Sequence, residues 1–345
     1  MHDCSKDVMA YHRSKVTLPK AEQDKMRDRR NANRERLKTR LAQKELPTPK
    51  LIIKQGSYAM KTMVQEENND YDIDDGVYFT QESLKGPNGG DKAARDARQM
   101  VQEVLDDDRF VQTPEVRTNC VRVFYKDGSH VDMPVYRIRT DDGDYELASA
   151  SDWKHSRAAD VEKWFKEAND SKSPADNNNQ FRHIVRTLKK FARSRASWKP
   201  LIISGFAITV LSKELYAPNS TRDDKSLRDT MQNIYNRLQY DLEIKHPVTP
   251  DTMVTKGSDD AKVEFFRDKL KDALKFLEVL DKSDCTHKEA LKAWDSVFYT
   301  DGFFEARYSG EDEEKDAKDA KLFAGLISVK KDPEPTDKRG EGRFG

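Results

Sequence analysis

The sequence predicts an α+β protein with two lobes, in which a mixed β-sheet lobe is followed by a helical lobe. Strand-like segments bounded by turn residues are concentrated before residue 150, and apolar residues at helical spacing dominate after it. The chain has 345 residues, of which 36% are apolar, so it can build the core of one large bilobal unit. We expect an N-terminal basic helix packing across the lobes (1–45), a sheet lobe (46–150), a helical lobe (151–325) and a flexible tail (326–345).

Composition argues against several classes of function. Lys and Arg together number 62, as do Asp and Glu, so no global field directs the chain to nucleic acid or to membranes. The three cysteines are far apart, with no CxxC spacing and no Cys/His cluster, which argues against a zinc ribbon and fits a reducing cytoplasm. The N-terminus lacks an apolar signal core, and the longest apolar run, residues 201–211, is about half a membrane span. We therefore expect a cytoplasmic protein without membrane contact.

The first predicted element is a helix over residues 20–44, a segment without Pro or Gly. It holds ten basic residues against four acidic ones, and only Met26, Leu37 and Leu41 form an apolar stripe. One interpretation is a solvated helix that lies across the body of the protein. The other is a nucleic-acid-binding surface.

Strands and helices follow in a defined order. Residues 51–53 predict a short strand, 72–79 an acidic strand and 91–105 an amphipathic helix. Two further strands, 120–125 and 130–138, are joined by a turn with Asp-Gly at its centre. The helical lobe is predicted from patterns over 158–168, 177–195, 201–214, 224–243, 260–281 and 286–298. The tail after residue 330 is too poor in apolar residues to order itself.

Two aspartates lie two residues apart in the acidic strand. Side chains at i and i+2 of a strand share a face, so Asp72 and Asp74 point together while Ile73 faces a core. Their mutual repulsion destabilises the strand unless a cation neutralises it, and carboxylates suit hard ions such as Mg²⁺. Asp132 lies on a later strand, on the face opposite Val131 and Met133. Three such carboxylates can hold two Mg²⁺ ions, with Mn²⁺ as a substitute, and Asp132 is the best candidate for a general base.

A phosphate site completes the constellation. Gly56-Ser57 follows the first strand, and a Gly-Ser turn allows backbone N–H groups and a hydroxyl to approach a triphosphate. A Lys or Arg from the basic helix around residues 182–195 can neutralise the outer phosphates. Taken singly, Gly-Ser is often only a turn, Asp-x-Asp a solvated strand edge and Asp132 a surface residue. Their occurrence in this order favours a metal-dependent phosphoryl-transfer site.

The same segments carry a resemblance to a known family. The segments Gln55-Gly56-Ser57-Tyr58, Asp72-Ile73-Asp74-Asp75-Gly76 and His130-Val131-Asp132-Met133-Pro134 resemble the polymerase-β-like nucleotidyltransferase fold. Within it, the chain is similar to the bacterial cGAS/DncV-like nucleotidyltransferases (CD-NTases) of CBASS anti-phage systems, especially their cyclic GMP-AMP synthase branch. The resemblance covers most of residues 45–305 and makes 46–150 the catalytic core.

The resemblance implies roles for individual residues. Asp72, Asp74 and Asp132 would be catalytic metal ligands, and Gln55, Gly56 and Ser57 would bind the donor triphosphate. Lys189 would bind phosphate, with Lys190 as a competing candidate and a solvated helix position as the alternative. The hydroxyl of Ser204 would reach the phosphates, unless this small residue serves only helix packing. Met60 stands where the cyclase has an aromatic residue that can stack on a base, so base selection is expected to differ.

The implied activity is the Mg²⁺-dependent joining of NTPs, ATP with a second nucleotide such as GTP, into a cyclic di- or trinucleotide second messenger. The messenger would activate a separate effector protein in a bacterial cytoplasm. Activation by DNA is not implied, because the zinc-bearing insertion of the animal enzyme is missing. Gly345, at the end of the tail, would be a conjugation point for a ubiquitin-like conjugation enzyme, or else an inert chain end. A template-free transferase acting on RNA or a small acceptor, and a catalytically dead nucleic-acid-binding protein, remain as alternatives.

Overall fold

The computed structural model describes residues 1–66, 71–86, 88–110, 112–249 and 251–308. Its architecture is the expected one, a mixed sheet lobe followed by a helical lobe. The strands are β1 Leu51–Gln55, β2 Asp72–Thr80, β3 Glu115–Val116, β4 Val121–Phe124, β5 His130–Met133, β6 Val135–Ile138, β7 Tyr145–Ser149 and β8 Asp152–His155. The helices are α1 Ser5–Tyr11, α2 Lys20–Gln43, α3 Gly56–Ala59, α4 Ala94–Leu105, α5 Ala158–Lys172, α6 Gln180–Ala192, α7 Gly205–Leu215, α8 Asp223–Leu238, α9 Ala261–Leu277 and α10 His287–Phe298. A π-helical turn spans His12–Val16, and short 3-10 turns span Glu82–Leu84, Ala175–Asn177, Ala196–Trp198, Glu278–Asp281 and Glu305–Tyr308.

All eight strands belong to one sheet, with β2 at its centre. β1 runs antiparallel to β2 on one side, and β5 and β6 run parallel to it on the other. The segment expected as one strand over 130–138 is interrupted at Pro134, which has no N–H to donate. The pairing register with β2 nevertheless continues from β5 into β6, and Val77 N–H donates to the Pro134 carbonyl at 2.8 Å. The sheet continues to His155, five residues beyond the boundary placed at residue 150.

Alternation along β2 separates a core face from a polar face. Val77 and Phe79 are fully buried against α2 and α4, and Ile73 is fully buried in a neighbouring cluster that contains Met26 of α2. The prediction that Ile73 faces a core is therefore confirmed. The even-numbered residues of β2 point to the opposite face, which carries the candidate site.

The N-terminal segment contacts both lobes through different helices. α1 packs in the helical-lobe core and contacts α8, whereas α2 packs on the sheet lobe beside α4. Several arginines of α2 pair with sheet-lobe carboxylates: Arg29 with Asp127, Arg34 with Asp75, and Arg36 and Arg40 with Asp107. Because these guanidinium groups are engaged within the protein, the solvated-helix interpretation of α2 is favoured over the nucleic-acid-binding one.

Candidate active site

Three carboxylates converge where β2 and β5 lie side by side. Asp74 stands opposite Asp132 in the parallel register, and Asp72 precedes Asp74 on the same face. Each residue offers an oxygen within 4.8 Å of the oxygens offered by the other two. The structure thus brings together the three residues singled out in the sequence, and hard oxygen donors at this spacing fit divalent cations.

Asp132 is joined to a residue that the sequence interpretation missed. Both of its oxygens accept hydrogen bonds from Arg122 on β4, from Nε at 2.8 Å and from an Nη at 2.7 Å. This bidentate ion pair with Asp132 raises the pKa of Arg122. Because both oxygens already accept hydrogen bonds from the guanidinium group, this geometry favours the ligand role of Asp132 over the general-base role. The signal was available in the sequence, because Arg122 and Asp132 are symmetric about the Asp-Gly turn and therefore face each other across the hairpin.

Asp72 and Asp74 differ from Asp132 in the hydrogen bonds of their carboxylates. Within the described part of the chain, neither makes a hydrogen bond or an ion pair through its carboxylate. Burial in the cleft and the charge of Asp132 raise the pKa of Asp72, although part of its side chain is open to solvent. Burial, followed by the charges of Asp72 and Asp132, raises the pKa of Asp74 well above its usual value. Two unneutralised carboxylates beside a third are stabilised by a bound cation, so these residues fit a metal site.

Gly56 brings the chain unusually close to this cluster. Its φ is +62°, a left-handed conformation, and a Cβ at this position would lie 1.9 Å from Asp74 Oδ2. Both observations require glycine. The turn starts the short helix α3, and Ser57 therefore follows directly after the point of contact with Asp74.

Gln55 was predicted to contact the donor triphosphate, but its side chain lies inside the protein. Its side chain is buried, its amide N–H donates to Tyr78, and its carbonyl accepts from the Tyr136 hydroxyl at 3.0 Å. The two tyrosine rings stack with centroids 4.3 Å apart. In this arrangement the Gln55 amide anchors the turn at Gly56 and is not presented to a ligand. Met60 is also buried, in the helical-lobe core, so it offers no surface for stacking on a base.

The helical lobe presents α6 to the loop that follows α3. Lys189 is buried and its Nζ donates to Thr62 Oγ1 at 3.0 Å, whereas Lys190 Nζ donates to the Gln65 carbonyl at 2.8 Å. Burial and the nearby Arg193 guanidinium lower the pKa of Lys189 to about 7, and the charges of Asp72 and Asp74 act in the opposite direction. Its bond to Thr62 ties Lys189 to the loop that follows the Gly56 turn.

Ser204 lies at the N-terminus of α7, next to Lys189. Its side-chain oxygen accepts from the Ala207 N–H at 3.1 Å, which makes it the N-cap. A Cβ at Gly205 would lie 3.7 Å from Lys189 Nζ, so the first residue of α7 touches the lysine side chain. The hydroxyl proton of Ser204 and the N–H groups of the first turn lie beside an ammonium group, an arrangement that suits an anion.

One predicted site residue, Gly345, is not among the residues that the structure describes. Gly345 and the charged tail after residue 308 are outside the described residues, so conjugation at Gly345 stays a prediction.

Among the described helices, none combines the length and the apolar character that crossing a bilayer requires.

Comparison with known proteins gives a family match for part of the chain and a similar fold for most of it. Residues 50–136 match the family model described as the nucleotidyltransferase domain of cyclic GMP-AMP synthase DncV-like proteins, and this range contains Gln55, Gly56, Ser57 and all three aspartates. The chain is similar to the Vibrio cholerae dinucleotide cyclase DncV solved with ATP, GTP and 5MTHFGLU2 (TM-score 0.70, 15% identity, 86% of this chain and 96% of that one). It is also similar to Escherichia coli CdnC solved with ATP (0.64, 20%, 86% and 98%) and to Bradyrhizobium diazoefficiens CdnG solved with GTP (0.64, 15%, 86% and 97%).

Proposed function

We propose that this chain joins nucleoside triphosphates into a cyclic di- or trinucleotide, since its residues 50–136 match the DncV-like nucleotidyltransferase domain model. The observation that carries the proposal is the convergence of Asp72, Asp74 and Asp132 within 4.8 Å on one face of the sheet. Mg²⁺ is the proposed cofactor, as two ions that Mn²⁺ can replace. When bound, these ions supply a lowered pKa for the attacking hydroxyl and charge neutralisation for the leaving pyrophosphate.

In the proposed reaction a ribose hydroxyl of one nucleotide loses its proton to solvent, and its oxygen forms a bond to the α-phosphorus of a second. The bond from that phosphorus to the oxygen bridging to the β-phosphate breaks, and pyrophosphate leaves. A second attack of the same kind on the linear intermediate closes the ring.

The protein side chains hold and orient the triphosphate for this step. Gly56 allows the donor phosphates to approach the metal ligands, and Ser57 offers its hydroxyl directly after the turn. From the helical lobe, Lys189 and the N-terminal turn of α7 at Ser204 supply positive charge for the outer phosphates. Arg122 holds the carboxylate of Asp132 in place beside Asp72 and Asp74 through its two hydrogen bonds.

The proposed substrates and biological setting follow the relatives. ATP and GTP are bound in the solved DncV, and CdnC is solved in a complex with HORMA. We extend this to ATP with a second nucleotide here, and to a messenger that acts on a separate effector protein in bacterial anti-phage (CBASS) signalling.

A single assay tests the activity. The full chain is incubated with all four radiolabelled NTPs and Mg²⁺ or Mn²⁺, and the products are treated with phosphatase. A phosphatase-resistant product is expected, since a closed ring has no terminal phosphate. A phosphatase-sensitive product would support instead the template-free transferase that uses the same three aspartates.

Matched variants connect the activity to the site. Asp72→Asn with Asp74→Asn should abolish the product, because the amides neither carry charge nor hold Mg²⁺ well. The control replaces two exposed aspartates of α9, Asp268→Asn with Asp272→Asn, and should keep full activity. Product formation by the Asp72/Asp74 variant would contradict the proposed site.

A further inference from the structure

A second group of metal-ligating side chains lies in the helical lobe. His2 and Cys4 precede α1, and His287 is the first residue of α10. The fold brings their ligand atoms within 4.8 Å of one another, although 283 residues separate Cys4 from His287. The expectation that the chain has no Cys/His cluster is therefore wrong, because the cluster is assembled by tertiary structure and has no local spacing to reveal it. We propose that His2, Cys4 and His287 bind a divalent d-block cation of the zinc class.

The separation of the two imidazole nitrogens is close to what a tetrahedral site needs, and the Cys4 sulfur lies within 4.8 Å of both. His2 Nε2 and His287 Nδ1 are 3.1 Å apart. Zinc bonds of about 2.0–2.1 Å to nitrogen and 2.3 Å to sulfur place two nitrogens about 3.3 Å apart and a nitrogen and a sulfur about 3.6 Å apart. The two imidazoles thus need to shift by only a few tenths of an ångström. Cys4 is fully buried, which suits a ligand sulfur shielded from solvent.

The opposite nitrogen of His287 already faces a carboxylate. His287 Nε2 lies 3.5 Å from Asp7 Oδ2, and the other oxygen of Asp7 accepts from Arg307 Nε at 2.9 Å. A metal-bound histidine usually directs its second ring nitrogen to a carboxylate in this way, which fixes the ring orientation and strengthens the metal bond. A histidine pair held only by its mutual hydrogen bond has no need for this arrangement.

The backbone of the N-terminal residues is fixed independently of any ion. The His2 N–H donates to the Leu280 carbonyl at 2.6 Å, and the His2 carbonyl accepts from Arg222 at 2.8 Å. The Cys4 N–H donates to Asp224 at 2.9 Å. These contacts hold two ligands in position before binding, so the cation joins the N-terminus to the start of α10 at little cost in ordering. The cluster shares no residue with the aspartate site, and its expected effect is on stability.

Cobalt reports directly on the ligands. The full chain, freed of metal with a chelator, is titrated with Co²⁺ in the absence of nucleotide. We expect a cysteinate-to-cobalt absorption band that saturates at one equivalent and disappears when Zn²⁺ is added. Co²⁺ held by the three aspartates contributes no such band, and Cys120→Ser, which removes the thiol beside Asp132, should therefore keep the band. Absence of the band in the wild-type chain would overturn the proposal.

Variants assign the band to the cluster. Cys4→Ser should abolish it, whereas Cys285→Ser, which removes a partly exposed cysteine just before α10, should keep it. Should Cys4→Ser not fold, His287→Gln serves as the second test, because it retains the thiol and is expected to weaken Co²⁺ binding at least about tenfold. Loss of the band in Cys285→Ser, or wild-type affinity in His287→Gln, would refute the assignment.

Discussion

Replacement of Gly56 by alanine tests the geometry of the active site most directly. A Cβ at this position would lie 1.9 Å from Asp74 Oδ2, while real Cβ contacts do not fall below 3.0 Å, so the carboxylate must move by about 1.1 Å. Misplacement of a catalytic group by about 1 Å can lower the rate about 10²-fold. The left-handed backbone at φ +62° adds strain of about 1–2 kcal/mol for any residue with a Cβ. We therefore expect Gly56→Ala to remain folded, to melt a few degrees lower and to form product about 10²-fold more slowly.

Gly143→Ala is the matched control for this variant. Gly143 has a similar φ of +74°, and no atom lies within 4 Å of a Cβ placed there. It should show the same backbone strain without the displacement of Asp74, so thermal melting should shift similarly in both variants while only Gly56→Ala loses activity. Equal rates of product formation in the two variants would refute the argument that contact with Asp74 makes glycine necessary.

Two further predictions concern the positively charged partners of the site. Lys189→Met should weaken ATP binding about tenfold or more, whereas Lys190→Met, which removes a lysine tied to the Gln65 carbonyl, should leave it nearly unchanged. Because the pKa of Lys189 is about 7 and a triphosphate favours its charged form, wild-type affinity for ATP should fall as the pH rises above about 7. Calorimetric titration of Lys189→Arg, which stays charged, should show a flatter pH profile; parallel profiles would contradict the role of Lys189. Arg122→Met should destabilise the chain by about 3 kcal/mol in a chelator, because it leaves the buried Asp132 unpaired, and added Mg²⁺ should restore part of this loss. Arg117→Met, which breaks a half-exposed pair with Glu115, is its control, and equal melting temperatures for the two variants would argue against the pairing.

The carboxylate cluster was predictable because local rules determine it. Alternation along a strand places Asp72 and Asp74 together, and the turn after Tyr125 sets the strand that carries Asp132. The partners of these residues follow other rules. Lys189 meets Thr62, which is 127 residues away, and His2 meets His287 across nearly the whole chain. No periodicity within a segment encodes such contacts, since they arise from tertiary packing of segments that are far apart in the sequence.

The loop after α3 shows why packing of the lobes matters for function. Four basic residues of α6 and its C-terminal end bind this loop: Arg186 the carbonyl of Lys61, Lys189 the side chain of Thr62, Lys190 the carbonyl of Gln65 and Arg193 the carboxylate of Glu66. These hydrogen bonds therefore fix α6 to the loop that follows the turn at Gly56. An ammonium group has three protons, so Lys189 can keep its bond to Thr62 and still donate to a phosphate. Under the proposed function, Thr62 is the residue that aims Lys189, and a triphosphate would enter a site whose charged groups are already in position, which would lower the entropic cost of binding.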